Sequence, residues 1–273
     1  MSTEARNPRS IELDRMSAVE IVRLMNEEEQ IVLRVMQQAE ADIAVAAERV
    51  ATAFQRGGRL IYVGSGTSGR IAVMDAAEMP PTFGVDADRF VAIVSGGERA
   101  QTTATEGAED EEHTAVKALN DLHVSHYDVV IGLAASGRTP FVLSAIRHAK
   151  QKGAWTCGIA NNLHTPLAIH AEHMIVLNTG PEVITGSTRL KAGTAQKMAL
   201  NRISTAAMVL SGKVIENLMV DVRANNAKLR ERAVRIVREL TTATEDEAWA
   251  ALEQSDWKIR PALAVLKDHA EVR

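Results

Sequence analysis

Residues 59–70 read RLIYVGSGTSGR: a short apolar run, Arg59–Val63, that passes straight into Gly64-Ser65-Gly66-Thr67-Ser68-Gly69-Arg70. A continuous apolar run followed by a glycine-bearing turn predicts a strand buried on both faces that hands over to a helix. The turn matches G-x-G-x-x-G, and four residues separate Gly64 from Gly69 as in a nucleotide-binding phosphate loop. Neither familiar reading is supported. A phosphate loop continues with Lys and then Ser or Thr, where this chain has Arg70 and Ile71. A dinucleotide fold wants an acid at the end of its second strand, which here ends in Val94-Ser95-Gly96-Gly97. The non-glycine positions are instead Ser65, Thr67 and Ser68, three hydroxyls beside backbone amides at a helix N-terminus. Such a cradle suits a small dianion.

Outward from this stretch, apolar runs over 90–94, 128–133, 155–159 and 173–177 predict four more strands. Helices are predicted over 68–78, stopped by Pro80 and Pro81, and over 105–122, 139–152 and 192–212, with further helical segments up to Leu240. The alternation predicts an α/β fold, a doubly wound parallel five-stranded sheet. The third strand delivers a second loop of the same kind, Ala134-Ala135-Ser136-Gly137-Arg138-Thr139-Pro140. Two hydroxyl loops at carboxyl ends of one sheet mark one crevice. On the amino-terminal side, apolar residues at three-to-four spacing make 17–56 helical, opened by the capping box Ser17/Glu20 and closed by Gly57 and Gly58. Residues 1–16 are mostly polar and read as an ordered arm or a leader. Residues 241–273, with two tryptophans and acids at a helix start, read as a module of two or three short helices for packing or protein contact.

Composition narrows the classes. With 273 residues, 46% hydrophobic and 24% charged, the chain can bury a full core without staples. Its net charge of −4 and 3% aromatic content argue against nucleic acid or an anionic membrane as partner. The start is polar and no stretch reaches about 18 apolar residues, so neither a signal peptide nor a membrane span is expected, and cytoplasmic residence is the default. The single cysteine, Cys157, lies in an apolar run and reads as a buried hydrophobe. His123/His126 and His170/His173 share an i, i+3 spacing without the accompanying ligands of a metal site, so no metal is predicted. Met25 and Met36 sit among leucines and valines as core.

GSGTSGR and AASGRTP, each after a strand, resemble the loops of the sugar isomerase (SIS) domain, a phosphosugar-binding fold. Longer strings narrow the match: DAAEMPPTFGV (75–85), EGAED (106–110), GPEVITGSTRLKAGTAQK (180–197) and NLMVDVRANNAKLRERAVRI (217–236). With the opening STEARNPRSIELDRMS, they resemble the N-acetylmuramic acid 6-phosphate etherases over roughly residues 2–270. The resemblance implies an arm and helices over 1–56, a SIS domain over 57–240 and a small helical, UBA-like module over 241–273. It also implies cleavage of the D-lactyl ether at C3 of that sugar, giving N-acetylglucosamine 6-phosphate and D-lactate without a cofactor. The substrate would come from recycled wall fragments or imported sugar, and the family's homodimers are implied as well.

An alkyl ether is a poor leaving group. Opening the sugar to its aldehyde makes the C2 hydrogen acidic, so a base can remove it while an acid protonates the departing lactate oxygen. Water then adds to the unsaturated aldehyde. Two placed acid–base groups suffice, and no metal is needed. By the resemblance Glu78 is the acid and Glu109 the base. Glu78 is expected in a partly dry pocket among Met79, Pro80 and Phe83, which would raise its pKa. If the helix after the first loop is continuous, Glu78 lies about ten residues along it, roughly 15 Å from its start. That is far for a sugar phosphate held at the same N-terminus, and it points to a site completed by a second protomer. Ser65, Thr67, Ser68, Ser136 and Thr139 are the expected phosphate and sugar contacts, and Arg70 and Arg138 add charge there or pair structurally. By the resemblance the segment 180–197 closes the sugar pocket: Glu182 precedes its glycine-punctuated turn, Ser187, Thr188, Arg189 and Lys191 open the long helix, and Glu182, Ser187 and Lys191 are the expected contacts. Two alternatives share the loops: an aldose–ketose phosphosugar isomerase, and a non-catalytic sugar-phosphate-sensing regulator. The first needs no acid at C3, and the second would lack Glu78 or Glu109.

Overall fold

The structure, a computed structural model, describes residues 1–271 apart from 104, 106 and 223. The chain divides into two compact units, Met1–Ala76 with Asp88–Ala207, and Ala77–Ala87 with Met208–Arg273.

The first unit holds the sheet. Its strands are β1 (Leu60–Gly64), β2 (Phe90–Val94), β3 (Val129–Leu133), β4 (Trp155–Ala160) and β5 (His173–Val176), all parallel in the order β2-β1-β3-β4-β5. Each expected strand is found within one residue. The helices up to the end of this unit are α1 (Ala18–Gln38), α2 (Glu40–Gln55), α3 (Gly66–Phe83), α4 (Arg99–Thr102), α5 (Glu112–Asp121), α6 (Pro140–Gln151), α7 (Pro166–His170) and α8 (Lys191–Leu210). Alternate residues of β1 face opposite layers, as the strand period requires. Ile61 and Val63 pack with Leu119, Phe141 and Ile146 of α5 and α6. Tyr62 points the other way, where its hydroxyl donates to Asp75 of α3 at 2.8 Å. Asp75 also accepts from Asn201 (2.6 Å) and Ser204 (3.1 Å) of α8. Burial raises its pKa and the three donors only partly offset that. Cys157 of β4 is fully buried, which pushes its thiol well up.

Three expected helices differ. The segment 17–56 is two helices that meet at Ala39, whose ψ of 4° leaves the helical well. The ladder nonetheless runs on, with Ala39 N–H donating to Val35 O at 3.0 Å and Ile43 N–H to Ala39 O at 2.9 Å. The capping box stands, Glu20 accepting from Ser17 N–H at 2.8 Å. α3 does not stop before Pro80 and Pro81 but carries both, ending only at Gly84, whose φ is +64°. Proline's fixed φ is itself helical, so α3 continues through both at the cost of two amide donors. The expected helix 105–122 is shortened to α5. Ahead of it Gly107, at φ +80°, and a 3-10 turn over Ala108–Asp110 reverse the chain; Glu106 lies outside the described residues.

Residues 1–16 form three single 3-10 turns that are mostly exposed and dock on the first unit through two buried side chains, Thr3 and Asn7. Thr3 is fully buried, its N–H donating to Asn162 Oδ1 at 3.3 Å and its hydroxyl accepting from Asn162 Nδ2 at 2.9 Å. Asn7 donates to Glu28 at 2.8 Å and to Pro181 O at 3.3 Å. Glu28 also pairs with Arg9 at 3.0 Å and, in the interior, with the Lys191 ammonium. Burial alone would raise the Glu28 pKa, but its hydrogen bonds from Lys191, Asn7 and Arg9 outweigh that and hold it low. Asp128 behaves alike at the foot of β3: Arg59 and the Ser125 N–H overcome the effect of burial.

The second unit is helical. α9 (Ala227–Leu240), α10 (Glu245–Gln254) and α11 (Ile259–Glu271) enclose a core of Val234, Val237, Ala248, Leu252, Ile259 and Ala262. Asn226 caps α9 and Thr244 caps α10, in a box with Glu247. Trp249 and Trp257 meet edge to face at 5.0 Å. Among the described residues, no helix is long and apolar enough to cross a membrane.

Removing Lys191 leaves Glu28 buried without its main partner. Lys191→Met should therefore cost about 3–5 kcal/mol of stability, read by denaturant unfolding. Because Glu28 and Asp128 have lowered folded pKa values, their contribution is complete above the unfolded carboxylate value near pH 4 and fades below it. The thermal midpoint should hold from pH 7 to about 5 and fall steeply as the pH drops below about 4.

Candidate active site

The site forms where β1 and β3 lie side by side and release their chains. β1 hands over to α3 across the single residue Ser65. That tightness depends on backbone approach: a Cβ on Gly64 would stand 2.7 Å from Gly69 N, and one on Gly69 would stand 2.7 Å from Val94 Cγ1. β3 leads through Ala134–Thr139 to α6, with Pro140 at its first position, where a missing N–H costs nothing. Gly137 turns this loop at φ +64°, against Thr165. Ser136 Oγ accepts from Arg138 N–H at 3.2 Å, and Asn162 Nδ2 donates to Ala135 O at 2.9 Å.

Between the two loops lies a cleft of about 310 Å³ lined by Glu4, Ser65, Gly66, Thr67, Ser68, Glu109, Leu133, Ala134, Ala135, Ser136, Thr139 and Thr188. A recess of about 270 Å³ shares Ser65, Gly66 and Glu109 with it and adds Arg70, Ser95, Ala100, Thr105 and Gly107. Ser65, Thr67, Ser68, Ser136, Thr139 and Glu109, six of the residues expected at the site, are thus brought together. Glu109 reaches the cleft from the 3-10 turn, whose Ala108 is buried and which packs against α6. Its side chain is exposed.

Other expected residues are placed elsewhere. Glu182 is buried and caps α8, accepting from Ala192 N–H at 2.9 Å and Lys191 N–H at 3.3 Å. Burial raises its pKa, and those amides only partly compensate. Lys191 is buried on Glu28. Both residues therefore anchor the start of α8 in the interior and do not line the cleft. Ser187 is half-buried and its N–H donates to Ile184 O at 3.0 Å; its neighbour Thr188 is the one that lines the cleft. Arg70 borders the recess, whereas Arg138 is exposed and lines neither. Glu78 belongs to the second unit. There Met79 and Phe83, one helical turn apart, are buried, while Glu78 is exposed rather than set in a dry pocket. A residue next to Met79 on a helix is rotated about 100° away from it, so burying the apolar pair turns the carboxylate outward.

Two contributors escaped sequence reasoning. Glu4 lines the cleft from the N-terminal arm. Ser95, at the carboxyl end of β2, donates to Ser65 Oγ at 2.6 Å. Its signal was visible in hindsight, since a hydroxyl ending the strand beside β1 must lie at the same crevice. Among the described residues no lysine, arginine or histidine lines the cleft. What it offers an anion instead is hydroxyls and the amides of the α3 and α6 N-termini.

Comparison with known proteins points the same way. Residues 42–150 match the family model of the glucokinase regulatory protein N-terminal SIS domain, and residues 216–270 that of the C-terminal lid domain of glucokinase regulatory protein. An N-acetylmuramic acid 6-phosphate etherase from Lactobacillus acidophilus is 46% identical, over 98% of this chain and 90% of that protein. One from Geobacillus thermodenitrificans is 50% identical, over 97% of this chain and 90% of that protein. The chain belongs to the N-acetylmuramic acid 6-phosphate etherase family. The fold of this etherase-family chain is shared more widely. A phosphoheptose isomerase from Francisella tularensis superposes with a TM-score of 0.54 at 17% identity, covering 72% of this chain and 100% of that one.

If the hydroxyl loops hold a dianion, each hydrogen bond to it is worth about 1.5–3 kcal/mol. Ser68→Ala and Ser136→Ala should each weaken binding of a hexosamine 6-phosphate about tenfold or more by calorimetry, while leaving the thermal midpoint within a few degrees.

Proposed function

We propose that this chain is a carbon–oxygen lyase that cleaves the D-lactyl ether of N-acetylmuramic acid 6-phosphate. The observation that carries the reading is the identity of 46–50% with etherases along nearly the whole chain. The gathering of both hydroxyl loops and Glu109 in one cleft supports it. The phosphate is held by Ser65, Thr67, Ser68, Ser136 and Thr139 with the adjoining amides. With the sugar open as its aldehyde, Glu109 takes the C2 proton, the C2=C3 bond forms and the C3–O bond breaks. Glu78 protonates the lactate oxygen as it leaves. Water then adds its oxygen to C3 and a proton returns to C2, giving N-acetylglucosamine 6-phosphate and D-lactate. Each proton taken is given back, so the cycle needs no cofactor.

Glu78 acts, in this reading, in a site shared between two protomers of a homodimer. α3 runs unbroken from Gly66 past Glu78, as the distance argument requires. A net charge of −4 and the lack of an apolar span in the described helices suit an enzyme working in the cytoplasm on a small phosphosugar, without nucleic acid or membrane as partner. An aldose–ketose isomerase would have no use for an acid aimed at C3, and a sensor no use for either carboxylate.

The test is D-lactate release from N-acetylmuramic acid 6-phosphate by wild type, Glu78→Gln and Glu109→Gln. Wild type should turn over, and each folded variant should lose about a hundredfold or more. Wild type that binds the sugar phosphate without releasing lactate would overturn the reading in favour of sensing. Mixing Glu78→Gln with Glu109→Gln chains should recover activity, up to about a quarter of wild type if dimers pair at random and each mixed dimer has one intact site. No recovery from two exchanging dimers would place Glu78 in its own chain's site.

A further inference from the structure

The N-terminal arm brings a second carboxylate to the cleft. Glu4 follows Thr3, which is fully buried and bonded to Asn162, itself a donor to Ala135 O of the second loop. Shortly beyond it, Asn7 is buried on Glu28 and Pro181 O. Glu4 is therefore pinned on both sides along the chain while its own side chain stays exposed in the cleft. It stands beside Gly186, where an added Cβ would lie 3.2 Å from Glu4 Oε2. Among the described residues it forms no ion pair.

Charge decides which part of a sugar phosphate it meets. The hydroxyls and helix N-termini attract the phosphate, and a carboxylate repels it, so Glu4 belongs to the sugar end. Glu109 lines both the cleft and the recess beside Ser95 and Gly107, whereas Glu4 lines the cleft alone, beside Gly186 and Thr188. Two carboxylates at different margins of so small a cleft address different atoms of one ligand. The reaction has a proton transfer that neither Glu78 nor Glu109 covers. C2 is acidic only next to a free aldehyde, and the sugar arrives as a closed hemiacetal.

We propose that Glu4 opens the sugar ring, an assignment that rests on the etherase reading above. Its carboxylate takes the proton of the anomeric hydroxyl, the C1–O5 bond breaks as C1=O forms, and the same proton passes to O5. The carboxylate is regenerated and nothing else is consumed. Its two oxygens suit the task, because O1 and O5 share one carbon.

The experiment compares wild type, Glu4→Gln and Glu4→Asp in two reactions: D-lactate release from N-acetylmuramic acid 6-phosphate, and hydration of the synthetic open-chain 2,3-unsaturated aldehyde 6-phosphate. For lactate release by Glu4→Gln, kcat should fall at least about tenfold with KM within about threefold, and Glu4→Asp should regain part of the loss. Both variants should hydrate the open-chain aldehyde at the wild-type rate, since that compound has no ring to open. Equal loss in both reactions, loss in neither, or a rise in KM alone overturns the assignment. Failure of the wild type itself to release lactate would instead remove the etherase reading beneath it.

Discussion

A parallel strand buried on both faces leaves its carboxyl end as the place where chain, solvent and ligand can meet. In this molecule that constraint falls on β1 and β3, adjacent in the order β2-β1-β3-β4-β5. Each must turn into a helix within a few residues, and each does so through glycine: after β1 it lets backbone approach backbone, and after β3 Gly137 takes a positive φ against the Thr165 side chain. The turns then expose amides and hydroxyls in the same small space. Binding capacity here is a by-product of how a doubly wound sheet has to reverse its chain, which is why one fold serves isomerases and etherases alike.

What the sequence made legible follows the same logic. Buried parallel strands are continuous apolar runs, so all five were readable, and so were the loops that end two of them. Ser65, Thr67, Ser68, Ser136, Thr139 and Glu109 fall together because strand order alone brings their segments together. Pro80 and Pro81 misled because a proline's fixed φ is itself helical, so a helix can run on through them at the cost of two amide donors. Glu182 and Lys191 misled differently. A charged residue in a glycine-rich stretch looks like a ligand contact, yet both are consumed in holding the first turn of α8. Glu4 was illegible because nothing local in a polar arm says where tertiary contacts will dock it.

The arm and the segment 180–191 depend on each other. Asn7 bonds Pro181 O and Glu28, Glu28 holds Lys191, and Asn162 ties Thr3 to the second loop. Polar groups this deeply buried are costly unless every member is satisfied, so the network tolerates little looseness. It ties the arm that carries Glu4 to the loop that carries Ser136 and to the segment before α8.

The cleft has carboxylates at its edge and, among the described residues, no cation in its lining. Its field therefore discourages anions in general, and only one whose oxygens meet the amides and hydroxyls in register overcomes the repulsion. Selectivity is then a matter of fit more than of attraction. Salt acts on only one half of such a filter: it screens the exposed carboxylates, whereas short contacts to neutral donors persist. In a mixture crowded with nucleotides and phosphorylated metabolites, most would be turned away before the chemistry began.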